Sequence, residues 1–360
     1  MDIMTAFAPS PISALIDSHV RYDLSESTCP PLRLGELVAV PDLALDYGTS
    51  RGDADLRTAI AAHTGVAAEQ VLVTVGAMAA MFLLAQATCR PGDRVLLVTP
   101  CFPPARTVPE GLGAHMDVVR SSFDDGYRLP LEAIAGALTP RTRLVSLASP
   151  QNPSGVRYTD EELRLLLAMV ERQAPDAVVL VDETYRDSTY GDAPIPASVA
   201  TLSPRVVTCS SLSKALGAPG LRIGWLTTTD AELYETLRNA KFLTTVACST
   251  VDEFLATQVL RRRNEILAPR AKRLRQALDE LLDWARDQPV DVLAPDGGAM
   301  CCLRMHDDEV AAFHARLAER DLRVAPGSWF GEHDRVFRLG FGHLPPDDFT
   351  EALDRLSEAL

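Results

Sequence analysis

The apolar positions of this 360-residue chain fall into short blocks with two rhythms. Residues 71–75 (Val-Leu-Val-Thr-Val) are an almost unbroken apolar run, short enough for a buried strand. Residues 77–88 follow with helical spacing, residues 90–93 (Arg-Pro-Gly-Asp) read as a turn, and residues 95–98 read as a second strand. Strand, helix, strand in that order is the mark of a parallel α/β unit. The rhythm returns as a strand at 144–148, a helix at 161–172 and a strand at 178–181. Two further strands are predicted at 206–209 and 223–227. From about 251 to 287 the text is long, helical and charged on one face. Short strands (299–303, 335–339) and helices (308–319, 347–360) come after it. The pattern predicts an α/β protein. A large domain at 47–245 carries a mostly parallel sheet flanked by helices, and a smaller α+β domain occupies 246–360. Residues 1–46 are Pro-rich and irregular, and are expected to form an arm that contributes to the smaller domain.

Composition narrows the classes. An apolar share of 47% supports a sizeable core, and 23% charged residues is ordinary for a globular protein. The net charge of −14 argues against nucleic acid as a partner. The one basic run, Arg261-Arg262-Arg263, lies in a helical pattern and reads as a solvated face. No segment is long and apolar enough to span a bilayer, and the first residues lack a basic leader, so a cytoplasmic protein is expected. The seven cysteines show no C-x-x-C spacing, so neither a metal site nor a disulfide framework is expected.

In open parallel sheets, ligands sit beyond the carboxyl ends of the strands. After 71–75 come Gly76, Ala77 and Met78, opening a helix whose free amides and dipole suit an anion. Phe102 follows the next strand. Asn152, within Ser-Pro-Gln-Asn-Pro-Ser-Gly155, follows the third. Asp182 and Tyr185 follow the fourth, and Ser211, Ser213 and Lys214 the fifth. Singly, each has an ordinary structural reading: a turn, a core aromatic, a helix cap, a surface lysine. Together they supply amides, an aromatic face, an amide side chain, a carboxylate and an amine, which is what holds a charged aromatic ring with a phosphate tail.

The segment Ser211-Leu-Ser-Lys214-Ala-Leu-Gly-Ala-Pro-Gly-Leu-Arg222-Ile-Gly-Trp resembles the lysine signature of the class I/II aminotransferases, which have the fold type I of pyridoxal 5′-phosphate (PLP) enzymes and include aspartate aminotransferase. Asn152 in its Pro-rich phrase and Asp182 with Tyr185 in Val-Asp-Glu-Thr-Tyr fit the same family. So do Tyr47-Gly-Thr-Ser-Arg upstream, and Ala325-Pro-Gly-Ser-Trp-Phe-Gly331 and Arg338-Leu-Gly-Phe-Gly342 downstream. The resemblance covers nearly the whole chain from Tyr47 onward.

The resemblance implies PLP as cofactor and an aminotransferase that exchanges the amino group of a small amino acid with a 2-oxo acid. Lys214 would carry the cofactor as an internal aldimine and then act as base at the substrate Cα. Asp182 would keep the pyridine nitrogen protonated. Asn152 and Tyr185 would bond the ring's phenolic oxygen, and Phe102 would stack on its face. The Ala77 and Met78 amides, Ser211, Ser213 and Arg222 would hold the phosphate. Arg338 would clamp the substrate carboxylate in the bidentate manner that suits arginine, and Asn152 would also bind that carboxylate. Tyr47 would reach the phosphate of a neighbouring subunit, which implies a homodimer. The chain departs from the family in reading Gly-Ala-Met at the phosphate turn, Cys101-Phe102 at the aromatic position, and Ser25-Glu26-Ser27-Thr28 in the arm. Glu26 could meet a cationic substrate side chain. Other PLP reactions on an amino acid stay open: decarboxylation, elimination or replacement, and oxidative cyclisation of the capreomycidine synthase kind.

Overall fold

The computed structural model describes residues 20–37 and 43–360. The rest of the N-terminal arm, residues 1–19 and 38–42, lies outside the described residues. Thirteen strands are described: β1 (Tyr22–Asp23), β2 (Val71–Val75), β3 (Arg94–Thr99), β4 (His115–Arg120), β5 (Thr142–Ala148), β6 (Val178–Asp182), β7 (Val206–Ser211), β8 (Ile223–Thr228), β9 (Val290–Leu293), β10 (Met300–Met305), β11 (Leu322–Arg323), β12 (Ala325–Pro326) and β13 (Val336–Gly340). Seven of them build one sheet in the order β2-β8-β7-β6-β5-β3-β4. Only β8 runs against its neighbours; the other pairs in the sheet are parallel among themselves. This is the mostly parallel sheet that the apolar runs predict. Because β8 is reversed, its first end, preceded by Arg222, meets the carboxyl ends of β2 and β7 on one edge of the sheet.

The central strands β3, β5, β6 and β7 are buried on both faces, which explains their continuous Val/Leu text. Helix Gly76–Thr88 covers one face, through Ala80, Leu84, Leu144, Leu180 and Leu226. Helix Asp160–Gln173 covers the other through Leu163, Leu166 and Val170. Its start is fixed by a reciprocal cap, in which Thr159 Oγ1 accepts from the Glu162 amide at 3.1 Å and Glu162 accepts from the Thr159 amide at 2.7 Å. Each fully buried aliphatic side chain of this kind contributes about 1.5–3 kcal/mol.

The smaller layer is a four-stranded antiparallel sheet, β12-β13-β10-β9. Beside it, β1 of the arm pairs in parallel with β11. The helical stretch expected from 251 to 287 is two helices, Thr250–Arg261 and Arg263–Ala285, divided at Arg262. Ala256, Val259, Leu260, Ile266 and Leu267 pack with Leu56, Ile60 and Trp225 of the large layer. Leu274, Leu278 and Leu281 pack instead with Leu303, Phe313 and Leu339 of the small one. The change of partner comes inside the long helix, where its apolar stripe passes from one core to the other. No helix among the described residues is long and apolar enough to cross a membrane.

Candidate active site

The residues singled out at strand ends come together along the carboxyl edge of the large sheet. Helix Gly76–Thr88 begins directly at the end of β2, and Val75 supplies no side-chain cap. Its first amides have no partner within the helix. Gly224 of β8 lets the backbone approach this turn: a Cβ there would lie 2.5 Å from the Gly76 carbonyl carbon and 2.6 Å from the Ala77 nitrogen. The Arg222 guanidinium sits against Gly76 and donates to the Pro219 carbonyl at 2.9 Å. Ser211 is buried at the end of β7, with Ser213 donating its amide to the Ser211 hydroxyl at 3.3 Å. An uncapped helix start, an arginine and two serines make a cradle that suits a phosphate.

Asp182 ends β6, and its carboxylate accepts from the Thr184 amide at 2.9 Å and from the Thr184 hydroxyl. Burial pushes the Asp182 carboxyl above the usual range, against the pull of Thr184, Cys209 and the nearby Lys214. Asp182, Asn152, Cys101 and Phe102 line one cleft. The Phe102 turn is held from the small layer, since the Cys101 amide donates to the Phe330 carbonyl at 3.0 Å.

Asn152 is buried, and its Oδ1 accepts from Arg338 Nη1 at 2.7 Å. Arg338 Nη2 donates to the Ser25 carbonyl at 2.6 Å, and the guanidinium lies 4.7 Å from the centroid of the Phe330 ring. The side chain is only 2% exposed, and its Nε has no partner among the described residues. Burial lowers the Arg338 pKa from its ordinary value. Among the described residues no carboxylate is paired with it, and a buried cation so placed calls for an anion.

Lys214 lies in the loop after β7, half-buried, with its Nζ 5.9 Å from the centroid of the Tyr185 ring. It is one of only three lysines in a chain with thirty-two arginines. Of the others, Lys241 is 1% exposed and Lys272 is exposed on the long helix. Lys214 Nζ donates to Ser27 Oγ at 3.5 Å, and Ser27 Oγ shares a hydrogen bond with Tyr185 Oη at 2.9 Å. Ser27 was not legible as a site residue. It comes from the irregular arm, and its one signal was that the Ser-Glu-Ser-Thr phrase departs from the family. Glu26, its neighbour, is half-buried and accepts from the Thr28 hydroxyl at 3.3 Å.

Tyr47 does not join this cluster within the chain. It is 85% exposed, as are its neighbours Leu45 (82%) and, on another segment, Leu243 (83%).

The family model for aminotransferase class I and II matches residues 39–356. The chain belongs to the class I and II aminotransferases. As a member of that family it is a PLP-dependent enzyme acting on amino acids, and the cradle, carboxylate and lysine described above fit that cofactor. Among its relatives is capreomycidine synthase of Streptomyces vinaceus, 30% identical over 94% of this chain and 90% of that protein. Another is the arginine–pyruvate transaminase AruH of Pseudomonas aeruginosa, 32% identical over 79% of this chain and 75% of that one. Among solved structures, a PLP-dependent aminotransferase from Streptococcus suis superposes with a TM-score of 0.90 at 25% identity, covering 98% of both chains.

Proposed function

We propose that this protein is an aminotransferase that moves the amino group of a small amino acid to a 2-oxo acid. The observation that carries the reading is the juxtaposition of Arg338, bonded to Asn152, with the Lys214 amine across the Asp182 edge of the sheet. A carboxylate-binding cation and a free amine in one place suit a substrate that has both an acid and an amino group on one carbon. PLP, when bound, supplies an electron sink for negative charge at that carbon. Lys214 would hold the cofactor through Nζ and, once the substrate amine displaces it, the freed Nζ would take the proton from the substrate Cα. The Asp182 carboxylate holds a proton on the pyridine nitrogen. Asn152 Nδ2 and Tyr185 Oη donate to the phenolic oxygen. Phe102 covers one ring face and excludes water there. The Ala77 and Met78 amides with Ser211, Ser213 and Arg222 bind the phosphate. Arg338 orients the substrate by its carboxylate.

Tyr47 acts across a homodimer in this reading, with its hydroxyl reaching the phosphate of the second subunit. Its 85% exposure supports that role, because it leaves the phenol open to a second subunit.

A second reading is oxidative cyclisation of a cationic amino acid. It is favoured by the near full-length similarity to capreomycidine synthase. The two separate in one experiment, absorbance of the purified protein with PLP beside Lys214→Ala. A visible band lost in the variant is expected. Bleaching by an amino acid with recovery on adding a 2-oxo acid supports transamination. Bleaching that a 2-oxo acid does not reverse favours the second reading. A protein that stays colourless with added PLP overturns both.

A further inference from the structure

The arm delivers Ser27 to the centre of the site by backbone bonds on both sides of it. On one side the Gly340 amide donates to the Leu24 carbonyl at 2.6 Å, tying the arm to β13. On the other the Leu32 amide donates to the Gly217 carbonyl at 2.8 Å, tying it to the loop that carries Lys214. Arg270 reinforces the second anchor, with Nη2 on the Pro30 carbonyl at 2.8 Å and Nη1 on the Ala215 carbonyl at 2.7 Å. Ser27 is 3% exposed, so solvent does not compete for its hydroxyl.

Among the described residues, that hydroxyl has two partners, Lys214 Nζ and Tyr185 Oη. A serine hydroxyl has one proton to give and lone pairs to accept with. Ser27 Oγ could accept from both, but Tyr185 gives its phenolic proton to the cofactor's phenolic oxygen in the reading above, so the proton shared with Tyr185 Oη is the one from Ser27. The phenolic proton of Tyr185 is then left to point away from Ser27, into the site. Hydrogen bonds in such a chain polarise one another, so a phenol that accepts from Ser27 is a stronger donor on its other side.

We propose that Ser27 is a positioning residue for the amino-group chemistry: it fixes the direction of the Tyr185 hydroxyl, so the arm tunes the site as well as walling it. The proposal rests on the reading of Lys214 and Tyr185 given above. It concerns Ser27 acting through Tyr185, with no contact to substrate required.

The test is a pH titration of the visible band of the PLP-loaded protein for the parent, Ser27→Ala, Ser27→Thr, Tyr185→Phe and the Ser27→Ala/Tyr185→Phe double variant. Without Ser27, Tyr185 is a poorer donor to the phenolic oxygen, whose negative charge then holds the neighbouring proton more tightly. The midpoint in Ser27→Ala is expected to move upward by about one pH unit. Ser27→Thr, which keeps the hydroxyl, should restore the parent midpoint. In the Tyr185→Phe background the Ser27→Ala change should add nothing, because the group it acts through is gone. An unmoved midpoint in Ser27→Ala overturns the proposal. So do equal shifts in the Ala and Thr variants, or a shift that adds to that of Tyr185→Phe, since those outcomes mark a packing role. Absence of any Lys214-dependent band in the parent would sink the reading of the site itself; a normal parent band with an unmoved Ser27→Ala sinks only this inference.

Discussion

Arg338 is the residue whose chemistry is hardest to replace. Its guanidinium serves Asn152 and Ser25 at once from a dry position over the Phe330 ring. Lysine keeps the charge but offers no planar fork. Arg338→Lys should therefore weaken amino acid binding by about 2 kcal/mol, roughly 30-fold in KM. The visible band should survive, because the cofactor is held by other groups. Steady-state kinetics beside the absorbance spectrum checks this, and a lost band would place Arg338 in cofactor binding instead. At this scale the sequence was most informative where a residue type has few ordinary uses. Lys214, Asp182 and Asn152 could be read from their places after strands, because each brings a distinct functional group to the same edge. Ser27 could not, since a serine in an irregular arm fits any loop and its partners are 158 and 187 residues away.

Among the elements, the arm and β13 show how closely backbones must approach to build the site. A Cβ on Gly340 would lie 1.6 Å from the Glu26 carbonyl oxygen and 2.7 Å from its carbonyl carbon. Neither atom is the end of a flexible side chain, so Gly340→Ala must push the arm away from β13. The loss of its anchor should cost on the order of 3 kcal/mol in stability. It should also raise cleavage within residues 20–32 in limited proteolysis; a variant as stable and as resistant as the parent would show that the arm can shift without cost. The strands with continuous apolar text were legible with ends correct to within two residues, because both faces are buried. Strand β4 was not, because half of it is exposed at the sheet edge and His115-Met-Asp-Val-Val-Arg120 mixes polar with apolar positions. Helices Ala54–Thr64, Pro104–Gly111 and Leu131–Ala137 were missed too. The last two are short, and Pro109 interrupts the helical text of the first of those.

At the scale of the whole molecule, several large apolar side chains stand exposed among the described residues. They include Leu45 and Tyr47 on one segment and Phe242, Leu243 and Val246 on another. The loop of Tyr47 rests on the turn after helix Ala231–Thr245, since a side chain at Gly48 would touch Thr250 and Ala247. A patch of this kind suits a subunit contact. Leu243→Asp is expected to convert a dimer to a monomer in light scattering, with activity falling alongside. A parent protein that is a fully active monomer would remove the role given to Tyr47.

The scarcity of lysine has a practical consequence. With Lys214 in the site and Lys241 enclosed, Lys272 on the long helix is the one exposed lysine side chain among the three. Reagents that couple to amines would find a single side-chain address there, besides the chain's own first amine. Immobilised through Lys272, the molecules would stand on a surface in one common orientation, set by the helix that joins the two cores.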